Sequence, residues 1–89
     1  MIVEFDKSFF KSLDQLKSST IATRIETTIS IFENAESLQV ISNIKKLSGY
    51  KNYYRLRIGD YRLGLELINQ KTIRFIVIAH RKDIYNIFP

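Results

Sequence analysis

Arginines at alternating positions raise the first chemical question posed by this 89-residue chain. In Tyr53-Tyr54-Arg55-Leu56-Arg57-Ile58, apolar and polar residues alternate with period two, the pattern of a half-buried strand. Gly59-Asp60 reads as a turn, and Tyr61-Arg62-Leu63-Gly64-Leu65 resumes the alternation. In such a hairpin Arg55, Arg57 and Arg62 share one face with Tyr53. Neighbouring strands lie roughly 5 Å apart and same-face residues about 7 Å apart along a strand. Three guanidiniums then fall within the span of one or two phosphates. Arginine offers paired N–H donors to phosphate oxygens and stays charged at any working pH. The expected chemistry is phosphate binding, with Tyr53 as an aromatic surface for a base. The plainer alternative is a solvated outer face of a sheet.

A second group, His80, Arg81 and Tyr85, follows the last apolar strand pattern. A histidine beside an arginine at a strand end can transfer protons near neutral pH; spacing alone equally fits a structural histidine. Lys45-Lys46 lies just before the Ser48-Gly49 turn signal and adds to the basic surface.

The flanking pattern must position these residues. Ile2–Phe5 is a short β-prone start. Asp6 suits a helix N-cap, and Phe5 and Phe10 have the spacing of a hydrophobic staple. Phe9, Phe10, Leu13 and Leu16 predict a helix over about 7–17. Ser19 reads as the N-cap of a second helix, whose stripe is Ile21, Ile25, Thr28, Ile29 and Phe32, with Arg24 off it. Residues 34–51 show no clear period. Three strands follow, 53–58, 61–68 and 72–79, the last apolar on both faces and therefore central. The segment from Arg81 to Pro89 fits a short terminal helix or an extended tail. The expected fold is a single α+β domain over 1–89: an N-terminal strand, a two-helix hairpin, then an antiparallel three-strand meander, in two layers.

Composition narrows the function classes. With 45% hydrophobic and 12% aromatic residues the chain is globular. It has no cysteine, which removes a disulfide scaffold, a thiolate zinc site and a cysteine nucleophile. One histidine excludes a multi-histidine metal site within one chain. No apolar run approaches the roughly 20 residues of a membrane span, and no signal peptide is read, so a cytoplasmic protein without membrane contact is expected. Residues 1–44 carry four basic and six acidic groups, net −2; residues 45–89 carry ten and three, net +7. A basic half of that density concentrates polyanions.

The stretch KKLSGYKNYYRLRIGDYRLGLEL (45–67), the apolar strand after it and HRKDIY (80–85) resemble the RelE/ParE superfamily of bacterial type II toxins. The resemblance covers essentially the whole chain. It implies a RelE-like, microbial-ribonuclease-like fold. In the RelE branch it further implies an endoribonuclease that enters the ribosomal A site and cuts mRNA through attack by a ribose 2′-oxygen. No metal or other cofactor is implied. Arg55, Arg57, Arg62 and Arg81 then correspond to the family's phosphate-binding and charge-stabilising residues, and Tyr85 to its base-stacking tyrosine. Some members carry lysine where Arg55 and Arg57 stand. A lysine-type general base is therefore missing, and His80 becomes the expected acid or base, with Glu66 and Tyr85 as weaker candidates. The implied partners are a cognate antitoxin, in a toxin–antitoxin hetero-oligomer, and the 70S ribosome with its mRNA. The ParE branch implies instead a non-enzymatic toxin that inhibits DNA gyrase.

Overall fold

The computed structural model describes all 89 residues. In chain order they form β1 (Ile2–Phe5), α1 (Lys7–Leu16), α2 (Ser19–Asn34), β2 (Ile44–Lys46), β3 (Tyr53–Ile58), β4 (Tyr61–Asn69), β5 (Thr72–His80) and α3 (Ile84–Ile87), with one 3-10 turn at Leu38–Val40. The expected meander is β3–β4–β5, each pair antiparallel. The full sheet is larger and mixed, ordered β1-β5-β4-β3-β2. β1 runs parallel to β5 at one edge, and three-residue β2 closes the other, antiparallel to β3.

Local chemistry sets the helix ends. The Asp6 carboxylate accepts from the Ser8 N–H at 3.1 Å, capping α1. The Ser8 hydroxyl, followed by the Ser8 N–H, holds the Asp6 carboxyl below the ordinary carboxylate range. The cap is therefore complete above that range and is lost as pH falls through the lowered value. Phe5 and Phe10 meet at 5.3 Å between ring centroids, as a staple requires. α1 ends at Leu16, because Lys17 turns left-handed at φ 49°. Ser18, and not Ser19, caps α2: its Oγ accepts from the Ile21 N–H at 3.2 Å, the reach from N-cap to third helical residue.

The helices cover one sheet face. Phe9, Ile21, Ile25 and Phe32 pack there on Leu56, Ile58, Leu63, Leu65, Ile73, Phe75 and Ile78. Phe75 and Ile78 are three residues apart yet share this face, because the β4–β5 register shifts between Gly64 and Leu65. Two serines of α1 satisfy the irregular backbone. The Ile78 N–H donates to Ser12 Oγ at 3.0 Å, and the Ser8 hydroxyl also reaches the Ile76 carbonyl.

The opposite face is covered in part by the chain's end. α3 and Phe88 fold back over Leu47, Val77 and Ala79 in a second, smaller core. This places a helix, and not an extended tail, after Arg81. Gly64 makes the return possible: a Cβ there would lie 2.6 Å from the Phe88 ring.

Gly64→Ala is therefore expected to cost about 1–3 kcal/mol by overpacking, and Phe88→Ala about 3–5 kcal/mol by cavity formation, measured by urea unfolding. Both act on one contact, so the double variant should cost clearly less than the sum. Strict additivity would show that Phe88 does not rest on Gly64.

Candidate nucleic-acid interface

The far face of the meander carries the arginines, as the alternation requires. Arg57 and Arg62 stand directly opposite each other across β3 and β4, Arg55 stands opposite Gly64, and Lys45 of β2 stands opposite Arg55. Like charges directly opposed on a sheet destabilise it. Arg62 is steadied by the turn it follows, where its Nη1 donates to the Gly59 carbonyl at 3.0 Å and the Tyr61 carbonyl at 2.9 Å.

Two clefts open on this face. The first is lined by Arg24, Asn43, Arg57, Gly59, Asp60, Arg62 and Arg81, with no apolar residue among them. Arg81 is held there by its backbone N–H, which donates to the Asp60 carbonyl at 2.8 Å. Asn43 takes a left-handed φ of 63°, which asparagine tolerates, and its carbonyl accepts from the Arg57 N–H at 3.0 Å. None of the four guanidiniums lies within ion-pair distance of a carboxylate. Arg74, on the same sheet face, contrasts with them: it meets Glu4 at 3.0 Å and Glu66 at 3.8 Å. One end of this face is neutralised and the other is left positive.

The second cleft is lined by Lys45, Lys46, Leu47, Ser48, Tyr50, Arg55, Tyr85, Phe88 and Pro89. The Arg55 guanidinium lies 4.4 Å from the centre of the Tyr85 ring, a cation–π pair. Its Nε is buried without a hydrogen-bond partner, which leaves a charged donor short of an acceptor. Tyr85 is 67% exposed, so its ring faces solvent as well as Arg55.

The fold thus divides the expected residues. Arg57, Arg62 and Arg81 converge in one cleft; Lys45, Lys46, Arg55 and Tyr85 converge in the other. Two expected residues join neither. Tyr53 is half-buried, its ring edge-on to Phe88 at 5.3 Å and tilted against Tyr50 at 5.6 Å, so it is packing for the second core and not an open platform. His80 pairs with Tyr61, not with an arginine, and meets that ring at 5.5 Å. Strand alternation puts Tyr61 on the helix side, opposite Arg62, and His80 goes with it. Its Nδ1 accepts from the Lys82 N–H at 3.2 Å. Among the residues beyond the expected set that line the clefts are Asp60, at the β3–β4 turn, Tyr50, beside Lys45–Lys46, and Arg24, brought from α2. A lone arginine off a helix stripe carries no sequence signal for a site formed by distant strands.

Comparison with known proteins follows the same outline. A family model described as the ParE toxin of type II toxin–antitoxin system, parDE, matches residues 3–85. Toxin RelE3 of Methanocaldococcus jannaschii is 44% identical over 90 residues, spanning all of both chains. A solved RelB-RelE antitoxin–toxin complex from Methanococcus jannaschii matches with a TM-score of 0.80 and 43% identity, covering 97% of this chain and 99% of that one. The YoeB dimer from Staphylococcus aureus shares the fold at a TM-score of 0.71 and 19% identity, over 91% of this chain and 97% of that one.

The opposed arginines give a stability test. Arg57→Thr relieves the repulsion with Arg62 and is expected to stabilise the fold by about 0.2–1 kcal/mol. Urea unfolding at low and high salt reads the effect, which should shrink as salt screens it. A loss of stability at low salt would show that an unseen anion or partner group already balances the pair.

Proposed function

The chain belongs to the RelE/ParE superfamily, the toxins of type II toxin–antitoxin systems, and from that premise we propose that it is an endoribonuclease cleaving mRNA in the ribosomal A site. The observation that carries this reading is the all-polar cleft of Arg57, Arg62 and Arg81, whose guanidiniums have no carboxylate partner. A folded chain holds like charges together at a cost in repulsion, and a phosphodiester backbone is the ligand that offsets it.

In the reaction proposed, a ribose 2′-hydroxyl gives its proton to a base and its oxygen attacks the adjacent phosphorus. The P–O5′ bond breaks, a 2′,3′-cyclic phosphate remains, and the departing 5′-oxygen takes up a proton. The phosphorane between these states carries two charges where the diester carries one, so the arginines stabilise it more than the substrate. They supply positive charge that a metal supplies elsewhere. Tyr85, exposed over Arg55, offers its ring to a flanking base. For the proton, two groups are candidates. Asp60 is the one carboxylate lining the cleft. His80, expected from the sequence as acid or base, has its ring on the Tyr61 side of the sheet. The geometry favours Asp60.

The proposed partner is a cognate antitoxin; relatives of the same fold are seen as RelB-RelE and DinJ-YafQ complexes. The net +7 half of the chain suits an acidic antitoxin segment. The cytoplasm, where translating ribosomes are, is the proposed site of action. A second reading, binding to DNA gyrase, draws on the ParE description of the matching family; a supercoiling assay addresses it directly.

Single-turnover cleavage of mRNA on programmed ribosomes, followed across pH, tests the enzyme reading. Wild type should produce ends within the A-site codon. Arg81→Ala should lower the rate on the order of a hundredfold with a smaller loss of affinity. Asp60→Asn should slow cleavage, and His80→Ala should keep the wild-type pH profile. A profile flattened near neutrality in His80→Ala would return proton transfer to the histidine. Intact mRNA with wild type, together with lost supercoiling activity, would replace the enzyme reading by the gyrase one.

A further inference from the structure

We propose that Arg24, on α2, holds the RNA phosphate next to the scissile one. The inference rests on the endoribonuclease reading above and adds a substrate contact from an element outside the sheet. Arg24 flanks the buried stripe of α2, one position before Ile25. Its side chain leaves the helix layer and reaches the β3–β4 turn. There its Nη1 lies 2.8 Å from the point where a Cβ on Gly59 would stand. Gly59 has a φ of 59°, so the turn requires glycine for its backbone, and the bare Cα also leaves room for the guanidinium.

The Arg24 guanidinium makes no ion pair, although Asp60 follows Gly59 and lines the same cleft. Its fellow lining residues include three more arginines. Counting charges, Arg24, Arg57, Arg62 and Arg81 against Asp60 leave the cleft at net +3. A single diester brings −1, and the phosphorane that forms from it carries −2. With the 2′ proton on Asp60, Arg57, Arg62 and Arg81 carry +3 against the phosphorane's −2, so they suffice for the scissile phosphate without Arg24. Arg24 adds charge from the cleft's outer wall, on the helix side of the turn, where a neighbouring diester can take it up.

The test is salt-dependent binding of a fluorescently labelled single-stranded RNA with 2′-O-methyl riboses, which lack the attacking hydroxyl. For single strands, each phosphate contact contributes about 0.7 to the slope of log K against log salt. Arg24→Gln should reduce the slope by about 0.7 and lower affinity several-fold, with urea stability unchanged. Arg24→Lys should retain the slope, since a point charge suffices. Lys71→Gln, at the opposite end of β4 and β5, should match wild type. If Arg24→Gln binds like wild type while Arg62→Ala loses its contact, the inference is overturned and the endoribonuclease reading stands. If Lys71→Gln falls as far as Arg24→Gln, net charge alone acts and the inference is again overturned. If wild type shows no salt-dependent RNA binding, both fall together.

Discussion

Strand β5 must be buried on both faces, and the rest of the molecule follows from that requirement. Its apolar run alternates Ile73, Phe75 and Ile78 toward the helices with Val77 and Ala79 toward the other side. The helix hairpin covers the first set. The second set needs a cover too, and the segment that follows β5 supplies it. Its return over Val77 and Ala79 seats Ile84 and Phe88, both essentially buried. The same return carries Tyr85 onto Arg55. An aromatic residue proposed to meet a base is thus positioned by a packing need in the central strand. Because the return segment is short, it leaves the ends of the far face open.

Those two open ends differ in charge. At one, Arg74 lies between Glu4 and Glu66, each from a neighbouring strand. At the other, Arg57 faces Arg62, with Arg81 and Arg24 beside them and no carboxylate within ion-pair distance of any of the four. The contrast lies within one sheet face, so it is not a consequence of a basic composition spread evenly. Pairing such arginines with acidic neighbours is easy for a protein surface, as Arg74 shows. Leaving four unpaired keeps donors and charge available to an incoming polyanion, and arginine keeps that charge across pH.

Much of this was legible in the sequence, for physical reasons that also explain the exceptions. Period-two alternation from Tyr53 to Leu67 set the face of every arginine in β3 and β4, because a strand offers only two sides. Asp6 and the Phe5–Phe10 pair marked the start of α1 through short-range contacts. By contrast, Ile44–Lys46 is too short to show a period, so the fifth strand and the sheet edge went unread. The parallel pairing of β1 with β5 joins residues about 70 apart, which no local pattern encodes. His80 sits one residue from Arg81, and adjacency in sequence suggested a shared site. β5 ends at His80, which takes the Tyr61 side of the sheet, while Arg81 opens the turn that follows. Tyr53 did point to the arginine face, but Phe88 returned to cover it. Arg24 reaches the cleft only through the packing of α2 against the sheet, a tertiary fact.

On the proposed function, RNA phosphate binds at the uncovered, positive end of the sheet face. Arginine Nε–Hε resonances observed during titration with a non-cleavable single-stranded RNA test it most directly. Arg57, Arg62 and Arg81 should shift together, and Arg74, held by Glu4 and Glu66, should stay in place. Shifts confined to Arg74 or to the helix layer, with the three cleft arginines unmoved, would contradict it.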